Sequence, residues 1–102
     1  TVSYNQGRFI EENILSVLNQ GYDNFEHIII DACSKDNTLD ILKKYDHLIW
    51  TSEPDKGQSD GLNKGFRKAT GDLIVWLNSD DVMRDGAFEV LNKFFTAFRT
   101  FN

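Results

Sequence analysis

The stretch Gly71-Asp72-Leu73-Ile74-Val75-Trp76-Leu77-Asn78-Ser79-Asp80-Asp81 organises the rest of the chain, because an apolar run passes directly into clustered acids. Residues 73–77 are apolar without alternation, which is typical of a strand buried on both faces, as in a parallel sheet. Asp80 and Asp81 then follow at the carboxyl end of this strand, and open α/β sheets bind ligands at that edge. The stretch therefore predicts a parallel sheet with a polar site at one edge.

Two interpretations of Asp80 and Asp81 are open at this point. Adjacent carboxylates repel each other, so a cation beside them is stabilising, and oxygen ligands suit Mg²⁺ or Mn²⁺ when a phosphate completes the coordination. Alternatively, both residues cap the helix that follows, because aspartate is favoured at helix starts. For an isolated Ser-Asp-Asp the helix cap is the more common arrangement, so the decision depends on the remaining chain.

The composition limits the size of the protein and its partners. The chain has 102 residues, of which 40% are hydrophobic, enough for one modest core and hence one domain or part of one. Its net charge of −5 argues against a nucleic acid or an anionic membrane surface as the main partner. No apolar run is long enough for a membrane span and no signal segment opens the chain, so a cytoplasmic protein is expected.

Cysteine and histidine offer few candidate sites. Cys33 is the single cysteine, which rules out an internal disulfide and a cysteine-rich zinc site, and we expect it to be a small buried residue. His27 and His47 lack metal-ligand spacing and are interpreted as structural or surface residues. The sequence contains neither a P-loop nor the glycine fingerprint of a dinucleotide-binding domain.

Strand and helix patterns alternate along the chain. Helices are predicted over residues 7–19, 39–45, 59–70 and 84–98, and strands over the opening residues, 25–30, 48–51 and 73–77. Asn5 is the predicted cap of the first helix. Because the connections are long enough for crossovers, we expect a mostly parallel, doubly wound, Rossmann-like sheet with helices on both faces.

Both ends of the chain have the pattern of truncated elements. Residues 1–4 resemble the end of a strand whose first residues are missing. The last predicted helix carries Phe94, Phe95 and Phe98 at helical spacing, with Phe101 beyond it. We therefore expect residues 1–102 to form part of a larger domain. We also expect this C-terminal aromatic face to permit self-association.

Polar loops follow each of the predicted strands. Ser3, Tyr4 and Asn5 follow the first strand and Asp31 follows the second, while residues 53–60 and 78–81 follow the third and fourth. The carboxyl ends of parallel strands lie on the same edge of a sheet. The four loops are therefore predicted to converge on one crevice.

Four segments carry a family resemblance. They are Ser-Tyr-Asn at 3–5, Ile-Ile-Ile-Asp-Ala-Cys-Ser-Lys-Asp-Asn-Thr at 28–38, Glu-Pro-Asp-Lys-Gly-Gln-Ser-Asp-Gly-Leu-Asn-Lys-Gly-Phe at 53–66, and the stretch 71–81 quoted above. In this order and at these spacings they resemble the nucleotide-sugar-binding half of a family 2 glycosyltransferase with the GT-A fold. The resemblance covers nearly the whole chain, so residues 1–102 would be a partial GT-A domain without its acceptor-binding half.

The resemblance implies a donor site for a nucleoside-diphosphate sugar of the UDP-sugar type. Asp31 would hydrogen-bond the base, and Ser3, Tyr4 and Asn5 would line the base pocket. Against this stands the possibility that Asp31 caps the next helix. Ala32-Cys33 departs from the family pattern, which more often has an acid or glycine followed by glycine.

The same resemblance implies roles at the sugar diphosphate. Asp60 and Lys64 would approach the ribose and diphosphate, although a helix-end charge and a solvated lysine explain them equally well. Asp80 and Asp81 would hold Mn²⁺ or Mg²⁺ on the diphosphate, and Asp80 would also contact the donor. Asn78 stands where many relatives have the first acid of this motif.

The expected function is therefore metal-dependent, inverting sugar transfer from a nucleotide sugar to a carbohydrate or lipid-linked acceptor, in cell-surface polysaccharide synthesis. The general base would come from outside residues 1–102, so no catalytic residue is predicted here and this fragment alone is expected to be inactive. The full-length protein is expected to be cytoplasmic, with membrane association as an option. The alternatives are a non-catalytic nucleotide-binding or interaction module of the same fold, and an unrelated doubly wound domain whose acids are helix caps.

Overall fold

The computed structural model describes the backbone of residues 1–100 and the side chains of residues 1–93. Along this part of the chain, strands and helices alternate as the sequence predicts. The strands are β1 (Val2–Ser3), β2 (His27–Asp31) and β3 (Leu48–Ser52). The helices are α1 (Ile10–Leu18), α2 (Thr38–Leu42), α3 (Gln58–Lys68) and α4 (Ala87–Thr100).

The three strands form one parallel sheet in the order β1-β2-β3. Ser3 pairs with Asp31 and Asp31 pairs with Ser52, so the last residues of the strands stand side by side at the carboxyl edge. Parallel neighbours require crossover connections, and here α1 and α2 supply them. The predicted parallel α/β sheet is confirmed.

Helices cover both faces of the sheet. On one face, Ile10 and Ile14 of α1 join α2 residues and Ile29 in the main apolar core, which contains Ile10, Ile14, Ile29, Ile41, Leu42 and Leu48. On the other face, α3 approaches the sheet closely through two glycines. A Cβ at Gly61 would meet Val2 Cγ1 at 3.0 Å, and one at Gly65 would meet Ile30 Cγ1 at 3.6 Å. The predicted doubly wound arrangement is therefore confirmed as well.

Residues 73–77 do not form the predicted fourth strand. They lie outside the sheet as an irregular segment, and Ile74 and Trp76 are 49% and 51% exposed. The neighbouring edge of the sheet is β1, whose two residues offer few backbone groups for pairing. A cavity of about 530 Å³ is lined by β1 and by residues 73–77. The prediction of a strand buried on both faces here is wrong.

The start of α1 also differs from the prediction. The helix begins at Ile10 rather than at residue 7, and Asn5 does not cap it. Instead, Asn5 adopts a left-handed conformation with φ 50°, and its N–H donates to Ser34 Oγ at 2.8 Å. The N–H of Gly7 likewise donates to Asp36 Oδ2 at 2.9 Å. These contacts with the loop after β2 hold residues 5–7 outside the helix.

Two expectations concern the far end of the chain and the membrane. The predicted aromatic face has its side chains outside the described residues; it consists of Phe94, Phe95, Phe98 and Phe101. Self-association through this face therefore stays a prediction. Within the described residues, none of the helices has the length and apolarity that a membrane span requires.

Candidate functional site

A cleft of about 840 Å³ opens at the carboxyl edge of the sheet. Its walls come from the loops after β1, β2 and β3 and from the segment 78–80, which contribute Ser3, Tyr4, Gln6, Ala32, Cys33, Lys35, Pro54, Asp55, Gly57, Gln58, Asn78, Ser79 and Asp80. The predicted convergence of four polar loops on one crevice is confirmed. Of the residues predicted to bind the donor or the metal, Ser3, Tyr4 and Asp80 line this cleft.

Asp31 lies beneath the cleft rather than in its wall. Its side chain is completely buried and accepts hydrogen bonds from the Ser34 N–H at 2.8 Å, the Ser34 hydroxyl at 2.5 Å and the Ser52 hydroxyl at 2.7 Å. Both carboxylate oxygens are thus occupied, and a direct contact with a base would require an exchange of partners. The base contact stays a prediction. The competing cap role is wrong, because α2 begins at Thr38.

The loop after β1 is tied to the loop after β2. Ser34 Oγ, which donates to Asp31, also accepts the Asn5 N–H, and Asn5 Oδ1 accepts the Lys35 N–H at 2.8 Å. Asn5 therefore supports the cleft from behind, while Tyr4 stands 54% exposed at its rim. An exposed aromatic ring on a fixed loop offers a flat apolar surface to a planar ligand.

Cys33 is exposed, so the prediction of a buried cysteine is wrong. The residue has φ 57°, in the left-handed region that glycine prefers. Asp31 pulls the following turn inwards through Ser34, and Cys33 projects outwards at the tip of that turn. The thiol side chain consequently forms part of the cleft wall.

Asp80 and Asp81 belong to a β-turn whose ends are joined by the Asp81 N–H, which donates to the Asn78 carbonyl at 3.0 Å. Both acids are exposed, while Ser79 is 7% exposed. The Asn78 side-chain amide donates to Asp81 Oδ2 at 3.3 Å. Since α4 begins only at Ala87, neither acid caps the following helix, and that alternative is wrong.

The acidic turn, residues 78–81, offers two carboxylates to a cation. Among residues 1–93, neither Asp80 nor Asp81 forms an ion pair, and no cluster of three or more histidine, cysteine or acidic side chains is assembled. Mg²⁺ and similar ions are commonly held by one or two carboxylates together with substrate phosphates. The donor set therefore fits a divalent ion that arrives with a diphosphate.

Asp60 and Lys64 are engaged with each other and with the loop after β3. Lys64 Nζ donates to the Pro54 carbonyl at 3.0 Å and lies 3.4 Å from both Glu53 and Asp60 carboxylates. The Lys56 N–H donates to Asp60, which lowers the pKa of that carboxyl group below its usual value. Desolvation lowers the pKa of Lys64, but the Glu53 and Asp60 carboxylates together outweigh it, so the pKa of Lys64 is raised. These contacts fix the loop, and the contacts with ribose and diphosphate stay predictions.

Sequence reasoning missed several residues that support the cleft. Ser34 and Ser52 hold Asp31, and the signal for them was a serine in the polar loop after β2 and another at the end of β3. Asn13, Ser16 and Gln20 of the first helical region contact the backbone of residues 78–88. Their spacing of three and four residues was a signal for one shared polar face, but their partners lie far away in sequence.

The chain is similar in sequence to a known protein family. The family model for glycosyl transferase family 2 matches residues 1–100. The chain is 36% identical over 95 residues to a Bacillus subtilis protein named "Putative teichuronic acid biosynthesis glycosyltransferase TuaG", covering 87% of this chain and 37% of that protein. It is 32% identical over 88 residues to the poly-beta-1,6-N-acetyl-D-glucosamine synthase of Staphylococcus epidermidis, covering 82% of this chain and 21% of that protein.

The fold also matches solved structures. The crystal structure of residues 1–349 of S. aureus TarS in complex with UDP-GlcNAc superposes with a TM-score of 0.84 and 25% sequence identity, covering 94% of this chain and 30% of that chain. The complex of the same protein with UDP gives a TM-score of 0.81. The chain thus spans well under half the length of the relatives it matches.

Proposed function

Because the chain belongs to glycosyl transferase family 2, we propose that its cleft binds the nucleoside-diphosphate part of a sugar donor of the UDP-sugar class. The observation that carries the proposal is the meeting of four loops around one open cleft, with the acidic turn at its rim. The volume of about 840 Å³ lies in the range of small-molecule sites, which runs from about 300 to 1,000 Å³. The TarS complex with UDP-GlcNAc supports this class of ligand.

In this proposal, Asp80 and Asp81 hold a Mn²⁺ or Mg²⁺ ion against the diphosphate. When bound, such an ion neutralises the negative charge that develops on the departing nucleoside diphosphate. The Asn78 amide orients the Asp81 carboxylate by donating to Oδ2. An acid at position 78 would instead add a third negative charge to the turn, so asparagine limits the repulsion between neighbouring carboxylates.

The cleft wall would bind the nucleoside. Tyr4 and Ser3 lie beside Ala32 and Cys33 in the same wall, and the Asp31 network holds the loops after β1 and β2 at a fixed separation. Base recognition by Asp31, and diphosphate contacts by Asp60 and Lys64, are part of the proposal. Each would require the side chain to exchange present partners for ligand atoms.

The longer protein that this proposal implies would transfer the sugar with inversion to a carbohydrate or lipid-linked acceptor. A carboxylate outside the described residues would take the proton of the acceptor hydroxyl. The named relatives favour cell-surface polysaccharide synthesis as the process. We place the reaction at the cytoplasmic side, with membrane association of the longer protein.

The acidic turn gives the test of this function. In the longer protein, Asp81→Asn should reduce sugar transfer at least about 100-fold, since even residues behind metal ligands contribute about 10- to 100-fold. Asp85→Asn is the matched control, because Asp85 is exposed and lies beyond the turn. Transfer that survives Asp81→Asn would contradict the metal assignment. A folded longer protein that binds UDP without transferring sugar would favour the non-catalytic nucleotide-binding module.

A further inference from the structure

Three polar side chains at the start, middle and C-terminal extension of α1 hydrogen-bond the backbone of residues 78–88. They are Asn13, Ser16 and Gln20. We propose that these three side chains, the α1 polar face, are positioning residues that hold the acidic turn in the geometry needed for the metal and the diphosphate. The inference rests on the proposed function of that turn. It adds residues that neither line the cleft nor touch the ligand.

Asn13 is the centre of this face. Its side chain is completely buried, and its amide nitrogen donates to the Asn78 carbonyl at 2.8 Å and to the Asp81 carbonyl at 3.1 Å. One side-chain amide therefore joins the first and last residues of the acidic turn. The Asp81 N–H closes the same turn from within by donating to the Asn78 carbonyl at 3.0 Å.

The other two residues continue the contact along the chain. Ser16 Oγ accepts the Met83 N–H at 2.9 Å. The Gln20 side chain donates from Nε2 to the Arg84 carbonyl at 2.8 Å and accepts the Phe88 N–H with Oε1 at 3.0 Å. The polar face thus follows the segment from the turn to the first turn of α4. All these partners are backbone groups, so the contact fixes position without depending on the side chains of the segment.

This support matters because the turn has little on its N-terminal side. Residues 73–77 lie outside the sheet, so no strand ladder fixes the approach to Asn78. Helix α1, in contrast, is anchored through Ile10 and Ile14, which are completely buried in the main core. Asn13 therefore connects this anchored helix to the acidic turn by two hydrogen bonds. A longer hydrogen bond, from Gln58 Nε2 of α3 to Asn78 Oδ1 at 3.4 Å, reaches the turn from the other face of the sheet.

The hydrogen bonding of Asn13 indicates that this position requires an asparagine. Its Oδ1 is buried and has no hydrogen-bond partner among residues 1–93. A buried polar atom without a partner is unfavourable, and an apolar side chain of similar size would avoid it. The residue type is explained by the two carbonyls, which need a side chain with two N–H donors on one nitrogen.

The test compares Asn13→Leu with the wild-type chain, using two measurements. In the absence of metal and nucleotide, Asn13→Leu should speed amide hydrogen exchange at Asp81 and Met83 while leaving the β2 amides unchanged. In the presence of Mn²⁺, it should weaken UDP binding about 10-fold, as is typical of residues that orient metal ligands. Without Mn²⁺, neither the wild-type chain nor Asn13→Leu should bind UDP measurably.

Tyr45→Phe is the control, because it removes a hydrogen bond to Glu11 of the same helix at 2.6 Å without touching the turn. It should leave both measurements unchanged. Should Asn13→Leu fail to fold, Ser16→Ala removes only the hydroxyl contacts and should give smaller changes in the same direction, centred on Met83. If the variants keep the hydrogen-exchange rates of the wild type and its affinity for UDP in the presence of Mn²⁺, the inference is overturned. A wild-type chain that fails to bind UDP with Mn²⁺ would instead overturn the proposed function.

Discussion

At the scale of single residues, Asp31 shows how a candidate ligand can act as a structural centre. The carboxylate joins the end of β2 to the loop that follows it through Ser34, and to the end of β3 through Ser52. Burying a charge is costly unless hydrogen bonds satisfy it, and here three donors do so. The side chain therefore sets the separation of the loops that form the cleft wall.

This role predicts a large loss of stability on truncation. Asp31→Ala would leave the Ser34 N–H and the Ser34 and Ser52 hydroxyls without their acceptor, and should lower the free energy of unfolding by about 3 kcal/mol. Urea unfolding at neutral pH measures the change. Asp46→Ala, at an exposed position, should stay within about 0.5 kcal/mol of the wild type. Equal effects of the two substitutions would contradict the central role of Asp31.

The residue scale also shows where sequence reasoning reached its limit. The acid at position 31 was recognisable because it ends an apolar run, but its orientation depends on Ser34 in the next loop and on Ser52 at the end of β3. Cys33 was predicted to be buried from the habit of its residue type, whereas a left-handed φ of 57° turns it outwards. Neither backbone conformation nor a distant partner is visible in local composition.

At the scale of elements, the predictions succeeded where burial and periodicity agree. The strands β2 and β3 and the helices α1 and α3 appear at the expected places, because each has an apolar face and a covering partner. Residues 73–77 have equally strong apolar character but no strand of sufficient length beside them. An unbroken apolar run indicates only that a segment can be buried, while a strand also needs a paired backbone.

The first residue of β2 gives a prediction for pH dependence. Burial is the main cause that lowers the pKa of His27 from 6.5 to about 3, with smaller contributions from the amino terminus and His47. Between these two pKa values the unfolded chain binds a proton at His27 that the folded chain excludes. Stability should therefore fall as the pH falls below 6.5, by about 2 kcal/mol between pH 7 and pH 5.

Urea unfolding at the two pH values measures this loss. In His27→Leu the imidazole is absent from both states, so the loss over the same interval should shrink by about 2 kcal/mol. A smaller loss should remain, because burial lowers the pKa of the Thr1 amino group to about 6. An equally large loss in the variant would show that other groups cause the pH dependence. Since His27 lies at the amino end of β2, away from the cleft, the substitution should leave nucleotide binding unaffected.

At the scale of the whole molecule, the four walls of the cleft are mechanically connected. The loops after the three strands are joined by hydrogen bonds among Asn5, Ser34, Asp31 and Ser52. The acidic turn is joined to α1 by Asn13. The topology that brings these loops together could be predicted, because parallel strands share one carboxyl edge. The connections between them could not, since most of them bridge segments far apart in sequence.

The charge of the whole chain also bears on the ligand. A protein with net charge −5 gains no general electrostatic attraction for a nucleoside diphosphate. Lys64, the cation expected at the diphosphate, is paired with Glu53 and Asp60. Under the proposed function, a divalent ion on Asp80 and Asp81 adds positive charge at the diphosphate, in a cleft whose wall also contains Lys35.

The most direct test is a calorimetric titration of the 102-residue chain with UDP, in the presence and absence of Mn²⁺. The account predicts binding that requires Mn²⁺ in the wild type, is lost in Asp81→Asn and is retained in the control Asp85→Asn. Binding that is indifferent to both Mn²⁺ and Asp81→Asn would contradict the metal site. A folded wild-type chain that does not bind UDP under either condition would contradict the donor site itself.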